Sequence, residues 1–220
     1  MAPRTGDDRP NIVVVVADDH GREALGCYGN PVVATPTLDS LAADGVRFDN
    51  AFCTTASCSA SRSVILTGQH SHTNRTYGLV HEPHHFSMAS HVRTLPAMLA
   101  RAGYRSGRMG KQHYRPVELF PFELDPPEWG TEEEILRHRD DRWLADRCAE
   151  FVAGDGPFFL YWCSHNPHRN AIRGDHPLRP DDFGNPPEPF PGDTEQPFDP
   201  ADVVVPPFLP DLPEVRAELA

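Results

Sequence analysis

No apolar run in the 220 residues approaches the ~20 needed to cross a bilayer, so no membrane-spanning helix is expected. The opening residues, Met1 to Asp8, lack the apolar stretch and cleavage site of a secretory signal, which points to the cytoplasm. A start further upstream would make it a periplasmic or secreted protein instead. Cysteines are few and scattered: Cys27, Cys53, Cys58, Cys148 and Cys163 form no Cys-x-x-Cys pair, which excludes a zinc knuckle and a dense disulfide scaffold. Basic residues are also short, 20 Lys and Arg against 32 Asp and Glu, for a net charge of −12. That balance excludes a general nucleic-acid binder relying on counterion release. An anionic substrate would need a local basic pocket.

What the chain has is enough apolar material for a core, 39% hydrophobic residues, and a length equal to about one and a half typical domains. Its 24 prolines are unevenly spread: six precede position 115 and eighteen follow it. Residues 11 to 17 form a β-branched run that predicts a strand buried on both faces of a parallel sheet. Thr35-Pro36 and Gly45 bracket a helix, and 46 to 52 reads as extended. Thr94 and Gly103 bracket a second helix, with a strand over 104 to 109. Thr131 and Glu134 make a capping box for a long helix running through about Val152, and 158 to 163 is a short apolar strand. The alternation of strand and helix predicts an α/β fold. Residues 1 to 10 are expected to be disordered, 11 to 169 to form the α/β part, and 170 to 220 to be a Pro-rich excursion of the same domain.

Three of these predicted strands end in polar clusters: Asp18-Asp19, then Lys111 with His113, then His165 with His168 and Arg169. Ligands of open α/β sheets bind at the carboxyl ends of the strands, so the clusters are expected to converge on one site. Each cluster alone also reads as a turn, a helix cap or a solvated loop. Paired carboxylates suit an oxygen-preferring cation such as Ca²⁺ or Mg²⁺, and Lys, His and Arg suit the oxygens of a sulfate or phosphate ester. A nucleophile is available at Cys58, which opens a predicted helix with Arg62 four residues on; both the helix N-terminus and Arg62 are expected to lower its thiol pKa. A small buried Cys beside a helix cap is the plain alternative. His84, His85 and His91 fit either a substrate mouth or a His-rich surface loop.

Cys58-Ser59-Ala60-Ser61-Arg62 followed by Leu66-Thr67-Gly68 resembles the signature of the sulfatase family, in which the Cys is oxidised after translation to formylglycine. Asp18-Asp19, Gly110-Lys111-Gln112-His113 and His165-Asn166-Pro167-His168 follow in the order and rough spacing of that family. Tyr77-Gly78-Leu79, His84-His85-Phe86, Phe120-Pro121-Phe122 and 199 to 206 resemble the branch that acts on N-sulfated sugars. The resemblance implies an alkaline-phosphatase-like, mostly parallel sheet with helices on both faces. It implies Asp18, Asp19 and the converted Cys58 as Ca²⁺ ligands, with Mg²⁺ less suited. Cys58, Arg62, Lys111, His113 and His168 are the implied catalytic residues, and Lys111, His168 and Arg169 the implied substrate contacts. The implied partners are a sulfated small molecule or glycosaminoglycan-type sugar and a formylglycine-generating maturase, with neither nucleic acid nor membrane. Ala60 stands where the signature usually has Pro.

Family members are about twice this long, so the resemblance implies an N-terminal part, a fold incomplete at its C-terminus and a last helix cut short at 214 to 220. Two other readings are carried forward. One is a phosphonate or phosphate monoester hydrolase of the same superfamily, since both anions are tetrahedral; the other is a non-catalytic relic that keeps the fold.

Overall fold

The computed structural model describes residues 7–126, 137–168 and 198–220. It divides into two compact units, one of residues 1–18 with 52–165 and the other of residues 19–51 with 166–220.

The first unit is organised by three strands, β1 (Ile12–Asp18), β2 (Arg105–Gly110) and β3 (Phe158–Pro167), in the order β1-β3-β2. β2 and β3 are parallel, in register from Arg105 opposite Phe158 to Gly110 opposite Cys163. The central strand alternates strictly between two cores. Phe159, Tyr161 and Cys163 face a cluster with Leu66, Met88, Val92, Tyr114 and Phe120, whereas Phe158 and Leu160 face Met109, Leu144, Cys148 and Phe151. Side chains of a strand point alternately to opposite faces, so one continuous apolar run serves both cores.

β1 departs from the sequence expectation. Ile12, Val14 and Val16 pack against the first cluster, but Val13 and Val15 are 53% and 55% exposed. The strand stands at the end of the sheet order, and the helix that covers the second face packs over β2 and β3. A β-branched run therefore reports strand, and the neighbours decide how many faces are buried.

Among the described residues, the α-helices of this unit are α2 (Cys58–Thr67), α3 (Ser71–Asn74), α4 (Leu95–Arg101) and α5 (Asp141–Val152), α1 (Pro36–Asp44) belonging to the second unit. Thr94 caps α4 by accepting the Ala97 N–H, as expected, and Gly103 follows in the left-handed region. The predicted helix through Val152 is not continuous: residues 138–140 interrupt it, and α5 starts anew with Asp140 accepting the Trp143 N–H at 2.9 Å. A second capping carboxylate outweighs the helical pattern there. Thr131 and Glu134 lie outside the described residues.

In the second unit α1 (Pro36–Asp44) begins after Thr35, but the Thr35 hydroxyl is turned to Asp39 and to the Gly26 N–H rather than capping its own helix. The stretch from 46 to 52 is not a strand; Val46, Phe48 and Phe52 are 77%, 68% and 86% exposed. Apolar alternation without a neighbouring strand leaves its backbone groups unpaired by a ladder. The chain ends in α6 (Pro213–Leu219), where Arg216 donates to the carbonyls of Pro200, Ala201 and Val203 and pairs with Asp211, tying residues 200–216 together.

Candidate active site

In the first unit the carboxyl ends of β1 and β2 and the start of α2 are brought together. Asp18 closes β1 and is 5% exposed. Arg62 donates from Nη2 to Asp18 Oδ1 at 3.2 Å, and Lys111 donates from Nζ to Asp18 Oδ2. Arg62 also reaches the Lys111 carbonyl at 3.4 Å. All three side chains are buried, so water screens them little and each needs the others. Two cations on one carboxylate leave a net positive charge.

Arg62 is held charged by its surroundings. Burial works against the guanidinium, but the Asp18 carboxylate hydrogen-bonded to it favours the charged form, and its pKa stands above the ordinary value. Burial also raises Cys163 and Tyr161, which keeps them neutral near pH 7 and leaves Asp18 as the anion of that set.

Lys111 is placed by the end of β2. Its N–H donates to the Cys163 carbonyl at 2.8 Å, and Gly110 precedes it at φ +80. A Cβ at position 110 would lie 1.9 Å from that carbonyl oxygen, so only glycine lets the chain pass here.

Cys58 is the first residue of α2 and half-buried, and its Sγ lies 3.2 Å from His113 Nδ1. Arg62, expected beside the thiol, is on the same helix but engages Asp18; the hydrogen-bond partner of the thiol is His113. His113 adopts φ +46, a conformation uncommon for a residue with a side chain, and is 8% exposed. A thiol at a helix start with an imidazole nitrogen in hydrogen-bond range could act as a nucleophile with a proton acceptor beside it.

In the second unit His168 Nε2 lies 3.7 Å from Asp19 Oδ2, and the Asp19 side chain is 68% exposed. Arg169 lies outside the described residues. His84, His85 and His91 are all exposed, and His84 Nδ1 accepts the Leu79 N–H at 3.3 Å, so that histidine shapes its own turn. His81, which the sequence reading passed over, stacks obliquely on His113 with ring centroids 5.1 Å apart. Its only signal in the sequence was its place between the Tyr77-Gly78-Leu79 and His84-His85 motifs.

Ca²⁺ takes six to eight oxygen ligands. The described residues offer the Asp18 and Asp19 carboxylates, Asp18 is turned to Arg62 and Lys111, and among the described residues no three His, Cys, Asp or Glu side chains cluster for a metal. They make at most part of a cation site.

The family model Sulfatase matches residues 10–202. The chain is 40% identical to N-sulphoglucosamine sulphohydrolase of Homo sapiens over 215 residues, covering 96% of this chain and 43% of that protein. Among solved structures it is similar to a protein in complex with its substrate D-glucosamine-2-N,6-O-disulfate, at 27% identity and a TM-score of 0.56, covering 75% of this chain and 36% of that one. It is also similar to the phosphonate monoester hydrolase of Agrobacterium radiobacter, at 19% identity and a TM-score of 0.60, over 81% of this chain and 43% of that one; that likeness is one of fold. The chain thus spans less than half the length of these relatives. The alkaline-phosphatase-like α/β fold is as expected, with a parallel strand pair and helices on its faces, and with the family match running through every described site residue the chain belongs to the sulfatase family.

Proposed function

We propose that the protein is a sulfuric ester or sulfamate hydrolase that acts on N-sulfated glucosamine or a related sulfated sugar through residue 58. The observation that carries this reading is the Cys58–His113 contact beside the net-positive Asp18–Arg62–Lys111 set. Membership of the sulfatase family and the substrate named for the human relative support the choice of sulfate on nitrogen.

Oxidation of Cys58 to formylglycine by an oxidising maturase would supply a hydrated aldehyde whose oxygen bonds to sulfur as the S–N or S–O bond to the sugar breaks and the sugar leaves as its amine or alcohol. The half-buried helix start fits so small a polar group. Around it, Lys111 and Arg62 bind the sulfate oxygens and offset the charge that builds on them in the transition state. His113 sits within reach of residue 58 to take up and return a proton near neutral pH. His168 and Arg169 complete the substrate contacts. Asp18 and Asp19 would serve as ligands of a Ca²⁺ ion, or less suitably Mg²⁺, and the ion would help bind and polarise the sulfate oxygens.

The test uses the protein as its native host makes it, offered an N-sulfo sugar, an aryl sulfate and a phosphonate monoester. Sulfate release from the N-sulfo sugar is expected, with Cys58→Ala lowering kcat by at least about 10³-fold. Faster turnover of the phosphonate, or activity surviving in Cys58→Ala, would sink the reading. Removal of divalent cations with a chelator is expected to suppress turnover and lower Tm, both recovering on adding Ca²⁺; activity that ignores the chelator would remove the metal from the proposal.

A further inference from the structure

The segment from Tyr77 to Phe86 has no part in the chemistry above, yet it is built against it. The segment closes on itself: Phe86 N–H donates to the Leu79 carbonyl at 2.9 Å, and the Phe86 ring meets those of Tyr77 and His84 at centroid distances of 5.8 and 6.1 Å. It is then tied to the nucleophile helix. Val80 N–H donates at 3.2 Å to the hydroxyl of Ser59, the residue after Cys58, and both residues are buried. A backbone bond in that position fixes the next residue, His81, relative to α2.

His81 lies against His113, with ring centroids 5.1 Å apart and planes tilted by 59°. Its own ring is not loose, because Nδ1 donates to the Glu82 carbonyl at 2.8 Å. His113 therefore has Cys58 on one contact and the His81 ring on another, while its backbone holds an uncommon left-handed conformation. Such a conformation persists only where the surroundings over-determine it. His81 is exposed and contributes to no buried cluster, so its ring adds nothing to the core.

We propose that His81 is a positioning residue whose ring packs on His113 and keeps that imidazole turned to residue 58. The proposal rests on the reading of residue 58 and His113 as the reacting pair. Packing is the active property, so an aromatic ring without nitrogens does the same work.

The experiment compares the protein from its native host with its His81→Ala and His81→Phe variants, after circular dichroism has confirmed equal folding. Two quantities are read: kcat and KM on the N-sulfo sugar, and the rate at which diethyl pyrocarbonate modifies His113, followed by peptide mass spectrometry. His81→Ala is expected to lower kcat about tenfold, the scale of a small misplacement of a catalytic group, with KM little changed. It should also speed modification of His113 several-fold, and His81→Phe should restore both values. An unchanged His113 modification rate in His81→Ala, or a Phe variant as impaired as the Ala variant, would overturn the proposal. Absence of sulfate release by the unsubstituted protein would defeat the functional reading instead, and the His113 modification rates would still decide the role of His81.

Discussion

Asp18 and Asp19 are adjacent and chemically identical, yet their surroundings make them different residues. Asp18 is buried and accepts from both Arg62 and Lys111, whereas the Asp19 side chain is 68% exposed. Removing one member of a buried charged set strands the others in low dielectric, where neither cation has water to fall back on. Asp18→Asn is therefore expected to destabilise the protein by about 3 kcal/mol, read as a shift of the urea midpoint. Asp19→Asn should move that midpoint by no more than about 0.5 kcal/mol, because a solvated side chain loses little on neutralisation. A destabilisation of similar size in both would show that the Asp18 pairing contributes nothing to the fold. Arg108 illustrates the same logic away from the site. It is fully buried in β2, and its guanidinium bonds Asp125 and the carbonyls of Gly110 and Pro126, so a charge in a strand serves to dock the segment that follows.

At the scale of elements, burial of apolar side chains is set by which strand or helix lies opposite. Leu144 on α5 has no exposure and packs with Met109, Cys148, Phe151, Phe158 and Leu160, so Leu144→Ala is expected to cost 2 to 5 kcal/mol, on the order typical of core truncations. Val13→Thr, on the open face of β1, should fall within about 0.5 kcal/mol of the parent, despite lying in an unbroken Val run. Thermal unfolding of the two variants separates the cases; equal losses would mean that the β1 face is covered in solution. Signals near helix ends were legible where one residue does one task, as with Thr94 and Gly103 around α4. They misled where a second group competes, as with Asp140 restarting α5.

For the whole molecule, buried thiols couple stability to alkaline pH. Burial pushes Cys148 up from 9.0 to about 11 and raises Cys163 as well. Both keep their protons to higher pH in the folded chain than in the unfolded one. Their contribution is thus complete below about pH 9 and is lost as pH rises through the folded values, Cys148 supplying at most about 3 kcal/mol. Urea midpoints at pH 8 and pH 10.5 are expected to differ in that direction, and a Cys148→Ala variant should show a smaller difference; a midpoint rising with pH would contradict it. The α/β class, the three strands and the family were legible in the sequence, and Asp18, Cys58, Arg62, Lys111 and His113 stood out there as candidates, because strand propensity, helix caps and residue chemistry are local properties. That Arg62 serves Asp18, that His113 is the partner of Cys58 and that His81 packs on His113 came from the packing of the chain. Those pairings join residues 44 to 55 positions apart or lie across separate loops, and which side chain a buried charge or thiol meets depends on how the strand ends and α2 pack.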